Sequence, residues 1–272
     1  MALSAWCAVV VGLSAVALGL FVRAWIAEPA SMGWWRPVAF ASGLALAVAT
    51  VASPLDVWGR DGLLAAHVAQ HLALGDLAAP LLLLGLPPAW RRWLSGKLSR
   101  LERGRSRGAR LATAALSPIG ALVLWTAAAY LWLAPPVHLS AAPAGLVHLV
   151  DHLSFLAFGF VFWLVAFDPR PTRDVRAALR TGGLPWWGRH VYAMASRLAM
   201  MPLAIGIWLA SASSYHDLGR PWTFGVSPAD DQELAASVKI GFEMLLFGLA
   251  IVLAFIFLSV SEGRQRSRGR EA

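Results

Sequence analysis

Charged residues are scarce in this chain, and cysteine is nearly absent. Only 14% of the 272 residues are charged, whereas a soluble domain carries roughly 25%. The chain therefore has too few charges to cover a surface in water. The single cysteine, Cys7, excludes an intrachain disulfide and a C-x-x-C metal or redox motif. Any metal site must then be built from histidine, methionine and carboxylate side chains.

The net charge of +8 does not indicate a nucleic-acid-binding protein. A basic chain often binds phosphate through a continuous basic surface. Here the lysines and arginines are confined to a few short segments that separate long apolar runs. That distribution is typical of the cytoplasmic loops of a membrane protein, so we expect lipid as the surroundings and no nucleic-acid partner.

The apolar runs predict membrane-spanning helices, each of which needs about 20 residues to cross a bilayer. Seven segments qualify, at residues 3–27, 37–54, 62–86, 112–133, 145–167, 190–211 and 235–260. The first run is too long for the apolar part of a signal peptide, so we expect a retained helix. The sequence thus predicts an all-α integral membrane protein, with one membrane domain (1–262) of about seven helices and a basic cytoplasmic tail (263–272).

The loop charges predict the orientation of this bundle. Alternate connections are rich in lysine and arginine, and such connections face the cytoplasm. The sequence therefore predicts an N-terminus outside and a C-terminus in the cytoplasm, with solvated, mobile segments at 95–110 and from Gly263 onward. The basic residues are Arg91, Arg92, Lys97, Arg100, Arg103, Arg105, Arg107 and Arg110 in the third connection, Arg170, Arg173, Arg176, Arg180 and Arg189 in the fifth, and Arg264, Arg266, Arg268 and Arg270 in the tail.

Two histidine pairs lie inside the predicted third and fifth spans. The sequences are His67-Val-Ala-Gln-His71 and His148-Leu-Val-Asp-His152. Residues four apart share one helix face, and both spans are predicted to enter from the outer side, so the two pairs lie at comparable depth. Neutral imidazole suits zinc, copper, iron and nickel. The alternative is that each histidine only hydrogen-bonds across helices and stabilises their packing.

Three further residues are candidates for a supporting role in a metal site. The thioethers of Met200 and Met201 in the sixth span would favour Cu(I), although methionine also serves as apolar packing. Asp56, just before the third span, could orient a ligating histidine or cap the following helix.

Ionisable residues elsewhere in the spans need partners, because an unpaired charge in lipid is costly. Asp76 in the third span and Arg197 in the sixth fall at similar predicted depth, so we expect an ion pair with a structural role. Lys239 and Glu243 in the seventh span are four residues apart and can pair along one helix face.

At these motifs the chain resembles the CtaG-type cytochrome c oxidase assembly factors, the polytopic family linked to caa-type oxidases. The resemblance rests on two long blocks, and two short ones agree with it. It covers about residues 36–260. The blocks are His67-Val-Ala-Gln-His71-Leu72 followed by Ala79-Pro80-Leu81-Leu82-Leu83-Leu84-Gly85-Leu86-Pro87, then His148-x-x-x-His152-Leu153-Ser154-Phe155 through Gly159 to Phe162-Trp163, with Ser53-Pro54-Leu55-Asp56 and Asp231-Gln232 as the short ones.

The resemblance implies a multi-pass plasma-membrane protein that is not an enzyme and that helps copper reach a haem–copper oxidase. Its partners would be cytochrome c oxidase subunits, and the metal role would fall on His67, His71, His148 and His152. One position departs from the family pattern, which tends to a Met-Trp where this chain has Lys239-Ile240. If that methionine serves copper, Met244, Met200 or Met201 would have to replace it. The sequence leaves the oligomeric state open.

Two other functions stay open at the level of sequence. Paired histidines from two helices can also ligate haem iron, which would make the chain a membrane redox protein. A di-iron site of the desaturase kind fits less well, because such sites carry more histidines and face the cytoplasm. A metal or proton transporter could use the histidines with Asp76 and Arg197 as a relay, but the inverted halves typical of many transporters are not evident.

Overall fold

The computed structural model describes residues 5–141, 145–168, 183–217 and 225–268. All regular secondary structure in these ranges is helical. Six helices are long and apolar enough to cross a membrane, and a bent helix pair adds a seventh span if it is counted as one. The predicted all-α membrane protein of about seven spans is therefore confirmed. The side on which each terminus lies stays a prediction, and the loop and tail arginines Arg170, Arg173, Arg176, Arg180 and Arg270 lie outside the described residues.

The described helices have the following bounds. The spans are Ala5–Ala27 (span 1), Trp35–Ala52 (span 2), Leu64–Gly85 (span 3), Arg107–Ala115 with Pro118–Trp132 (span 4), Gly145–Ala166 (span 5), Trp186–Leu209 (span 6) and Pro228–Arg268 (span 7). Between them lie the shorter helices Pro29–Met32, Pro54–Arg60, Pro88–Arg103, Pro135–Ala141 and Ala212–Tyr215.

Span 4 is broken rather than continuous. Its two helices meet at an angle of 72°. Ser117 stands at the break, where its hydroxyl accepts a hydrogen bond from the Gly120 backbone N–H at 3.1 Å, and Pro118 begins the second helix without a backbone N–H of its own. The sequence predicts one helix over 112–133, which has Pro118 near its start. The structure puts the bend at that proline.

Span 3 is the central helix of the bundle. It packs against spans 2, 5 and 7, and 61% of its apolar window is buried, compared with 6% of the apolar window of span 1. The backbone of span 3 passes through a π-helical segment, Ala73–Ala78, between two α-helical parts. Span 1 lies at the edge, where Phe21 stacks on Phe40 of span 2 with ring centroids 4.4 Å apart.

The stretch at 95–110 is more ordered than the sequence predicts. Residues Pro88–Arg103 form one helix, and Arg107 begins the next. Proline at the first position and the many leucine, lysine and arginine residues that follow are favourable for a helix. The prediction of a mobile loop here is wrong for most of its length. The backbone of the predicted tail also continues span 7 as far as Arg268.

Candidate metal centre

The two histidine pairs meet in the interior, as their matched depth predicts. The rings of His67 and His71 have centroids 4.3 Å apart, and those of His148 and His152 lie 4.2 Å apart. Across the two spans, His67 lies 5.3 Å from His148 and 5.5 Å from His152. All four residues are at most 3% exposed. The side chains therefore point at one another and not toward lipid.

Two glycines allow spans 3 and 5 to approach closely enough for this convergence. A Cβ atom added at Gly159 would lie 2.6 Å from the backbone oxygen of Gly75, and one at Gly75 would overlap the ring of Trp125. One turn before this crossing, His71 stacks on Phe155 with ring centroids 3.7 Å apart. A larger residue at Gly159 would separate the two spans and the histidines that they carry, whereas one at Gly75 would displace Trp125 of span 4.

Asp151 joins the histidines and was missed by the sequence analysis. Nε2 of His71 hydrogen-bonds the Asp151 carboxylate at 3.1 Å. Nε2 of His67 lies 3.1 Å from the same carboxylate, outside hydrogen-bonding geometry. Asp151 is three residues after His148, so the same spacing rule that pairs the histidines could have placed it on their face. The ligand atoms of His67, His71, Asp151 and His152 all lie within 4.8 Å of one another.

A fifth histidine, His138, was also missed. It lies on the short helix Pro135–Ala141 between spans 4 and 5, and its ring centroid is 4.8 Å from that of His67. Burial, and to a smaller extent the neighbouring His67, lowers the pKa of His138 to about 3. No periodic pattern in the sequence surrounds His138, so its place in the cluster depends on tertiary packing alone.

The five imidazoles have more hydrogen-bonding atoms than partners. Within the described residues, each of His67, His71, His138, His148 and His152 has at least one buried ring nitrogen without a hydrogen-bond partner. A buried polar group left in this state costs about 1–3 kcal/mol. Such atoms call for an explanation, and a bound ion is one that suits nitrogen lone pairs.

Asp56 lies beside the second histidine pair. Its Oδ1 is 3.4 Å from Nε2 of His148, and its Oδ2 forms an ion pair with Arg60 at 2.5 Å. The ligand atoms of Asp56, His148 and His152 form a second group within 4.8 Å of one another. Of the two methionines singled out in the sequence, Met200 is fully buried in the apolar core with Leu203 and Ile207, and Met201 is half-buried.

A residue from span 7 fixes the start of span 3, three residues before His67. The carboxylate of Asp231 accepts hydrogen bonds from the backbone N–H groups of Leu64 at 2.7 Å and Ala65 at 3.1 Å. Nε2 of His216 donates to the same carboxylate at 2.8 Å. An anion at a helix N-terminus is favourable. Asp231 therefore sets the position of the helix that presents His67 and His71.

A second buried polar cluster lies farther along span 3. The predicted ion pair between Asp76 and Arg197 is present at 2.9 Å, and Arg197 also lies 3.0 Å from Glu243. The predicted pair of Lys239 and Glu243 is present at 3.1 Å. These four residues form one chain of alternating charge, called here the charge network. Lys239 thus pairs within this network.

These features define the class of protein. It is a multi-span helical membrane protein with a buried histidine–carboxylate centre near the N-terminal ends of two parallel spans. The chain belongs to the cytochrome c oxidase caa3 assembly factor family (Caa3_CtaG), whose family model matches residues 16–260. The resemblance seen in the sequence is therefore confirmed.

Two similar proteins in mycobacteria carry no functional name. They are the uncharacterized protein Mb0105 of Mycobacterium bovis and the uncharacterized protein MT0111 of Mycobacterium tuberculosis, each 26% identical over 259 residues. The match covers 86% of this chain but 35% of each relative, so the chain spans about a third of the length of these curated relatives. No solved structure matches the chain.

Proposed function

We propose that this assembly factor binds copper at its histidine cluster and passes it to a haem–copper cytochrome c oxidase in the plasma membrane. On this proposal the chain is not an enzyme. Copper is cargo, the oxidase subunits are the recipients, and the histidines hold the ion between uptake and release. The family membership supports the assembly role, and the geometry of the cluster supports the metal.

The observation that carries the proposal is the surplus of unpartnered ring nitrogens around one carboxylate. A purely structural histidine in lipid would gain stability by hydrogen-bonding across helices. Here the rings contact one another, and only His71 among the four predicted ligands forms a hydrogen bond with a side chain of the described residues. Nitrogen donors that face one another in this way can bind a metal ion.

The chemistry of the donors favours copper among the first-row metals. Imidazole is a good ligand for copper, zinc, iron and nickel, and divalent copper binds most tightly in this series. The carboxylate of Asp151 is 1% exposed and supplies a negative charge. A buried carboxylate needs a positive partner, because an isolated charge is costly in a medium of low dielectric constant. A copper ion meets that need.

The placement of the cluster supports delivery on the outer side. His67 is four residues from the start of the helix at Leu64, and His148 is four residues from the start at Gly145, counting the first residue of each helix. The loop charges predict that both of these ends face the outside. Copper held there would be close to the face from which an oxidase subunit could receive it.

Metal analysis of the purified full chain tests this function. We expect copper to co-purify with or load onto the wild type, and to fall by about ten-fold or more in a variant with His67, His71, His148 and His152 all changed to alanine. His190→Ala is the matched control, because His190 lies in span 6 and its Nδ1 contacts the Trp186 backbone oxygen, away from the cluster. Cells with the quadruple variant should assemble less active oxidase than cells with the control.

Equal copper in the wild type and the quadruple variant would remove the metal proposal. A visible spectrum recorded on the same samples covers the haem alternative. A Soret band that the quadruple variant lacks would assign the histidines to haem iron and contradict copper binding. Copper flux into liposomes that depends on Arg197 would instead favour a transporter over an assembly factor that holds its cargo.

A further inference from the structure

The histidine cluster contains two separate groups of ligands. The inner group is His67, His71 and Asp151 with His152, and the outer group is Asp56 and His148 with His152. His152 is common to both. Each group includes one carboxylate. Asp56 of the outer group lies on the short helix Pro54–Arg60, and Asp151 of the inner group lies on span 5.

The spacing within each group is close to that of a single ion site. The ligand atoms lie within 4.8 Å of one another in both groups. Bonds of about 2.0–2.1 Å to histidine nitrogen place two ligands of one ion at most about 4.2 Å apart. Side-chain movements of less than about 1 Å would therefore close either group around an ion. One ion cannot satisfy both groups at once, because together they exceed the ligand number of a tetrahedral site.

The two groups differ in their exposure to the surface. The Arg60 side chain is 27% exposed and that of Asp56 is 11% exposed. The side chain of His148 is 4% exposed, and those of His67 and Asp151 are each 1% exposed. Exposure thus falls step by step from Arg60 through the outer group to the inner group.

A small cavity adjoins the outer group, and of the inner group only the shared His152 lines it. Its volume is about 20 Å³, and it is lined by Asp56, Arg60, His148 and His152 on its polar side and by Val10 and Val51 on its apolar side. A volume of about 10–15 Å³ is enough for one water molecule. Neither ring nitrogen of His148 has a hydrogen-bond partner in the described part of the chain, and Nε2 of His152 has none.

We propose that the chain holds two adjacent metal positions that share His152, an outer receiving position at Asp56 and His148 and an inner holding position at His67, His71 and Asp151. This inference rests on the proposed metal-binding function. An ion enters beside Arg60 and binds the outer ligands. It moves to the inner position when His152 turns from a ligand of the outer position into a ligand of the inner one. A monovalent copper ion in the inner position would balance the charge of the Asp151 carboxylate, whereas the Asp56 carboxylate of the outer position is already paired with Arg60.

Titration of the full chain with Cu(I) under ascorbate, in detergent micelles, tests the two positions. We expect two ions per wild-type chain. Asp56→Asn with His148→Gln should leave one ion that binds as tightly as the tighter wild-type ion, and loading should slow by about ten-fold or more. His71→Gln with Asp151→Asn should also leave one ion, the weaker one. Asp61→Asn is the matched control, since Asp61 lies on the same connection as Asp56 but is exposed.

The outcomes separate this proposal from the one on which it depends. A wild type that binds one ion, with the outer variant unchanged in both stoichiometry and loading rate, would overturn the receiving position. So would an outer variant that elutes as a folded protein but has lost all copper, because that result indicates one joint site. A wild type that binds no copper contradicts the proposed function itself.

Discussion

The molecule contains two buried polar regions on the same central helix, and they are built on different principles. In the charge network, two cations and two anions alternate, and each charge lies within 3.1 Å of an opposite one. In the histidine cluster, five imidazoles lie beside the buried carboxylates of Asp151 and Asp56, and ring nitrogens remain without hydrogen-bond partners among the described residues. Asp76 follows His67 by nine residues, or about 13 Å along the helix, so both regions lie within one span.

The difference separates a structural region from one that can take up a ligand. A set of opposite charges that pair with one another needs no further ion and fixes the register of the helices that carry it. A set of neutral donors around a carboxylate is incomplete until a cation binds. Each region can be perturbed without touching the other, which makes the comparison testable.

The largest effect is expected when the charge network loses its central cation. Arg197→Met leaves Asp76 and Glu243 with only Lys239 as a positive partner, and breaking a buried ion pair costs about 3–5 kcal/mol. Thermal unfolding of the purified chain measures the loss, with the exposed Arg110→Met as the control. Adding Asp76→Leu to Arg197→Met restores charge balance and should recover most of the stability. A double variant as unstable as the single one would contradict the pairing.

Arg197→Met also tests whether the two regions are independent. The folded fraction of this variant should bind copper with wild-type affinity, because no residue of the charge network belongs to either ligand group. A clear loss of affinity at full folding would show that the two regions are coupled through span 3.

The second effect concerns the crossing of spans 3 and 5. Gly159→Ala places a methyl group 2.6 Å from the Gly75 backbone oxygen, so the spans must separate, at a cost of about 1–3 kcal/mol. We expect copper affinity to fall by a larger fraction than the free energy of unfolding, because the histidine pairs move apart. Gly206→Ala is the control, since no atom lies within 4 Å of its added Cβ. Unchanged copper binding in Gly159→Ala would show that the cluster tolerates a wider crossing.

Much of this fold follows from the sequence, because each feature has a local cause. Apolar runs give the spans, and the four-residue spacing gives the histidine pairs. The spacing also contains Asp151, at the third position after His148, although the histidines alone were singled out. The bend in span 4 has its cause in Pro118, but its angle depends on how the two parts pack.

Other parts of the site could not be predicted, because they depend on contacts between distant segments. His138 lies on a short helix with no periodic pattern, and it enters the cluster only through the fold. Glu243 pairs with Arg197 as well as with Lys239, and that contact joins span 6 to span 7. Asp231 appeared in the sequence as part of a matching dipeptide. Its hydrogen-bond partners in span 3, Leu64 and Ala65, are 167 and 166 residues away in the sequence.

Asp231 gives the third effect, which links stability to the histidine cluster. Asp231→Ala removes the cap of span 3, at a cost of about 1–2 kcal/mol, and it removes the partner of His216. Copper affinity should fall by about 10–100-fold, as expected when a residue that positions ligands is lost. Glu233→Gln, which is exposed two residues farther along span 7, is the control. Loss of stability without any loss of affinity would restrict Asp231 to the fold.

The smallest effect on stability is expected at Arg60. The informative result there is whether copper affinity rises or falls. The pair of Arg60 and Asp56 is partly exposed, so Arg60→Gln should change stability by no more than about 1 kcal/mol. Removing a positive charge beside the outer ligands should instead raise copper affinity there by about three- to ten-fold. Arg92→Gln, which breaks the exposed pair with Glu28, controls for loss of a surface ion pair. A fall in affinity would contradict this expectation, because it would mean that Arg60 holds Asp56 in place for the ion.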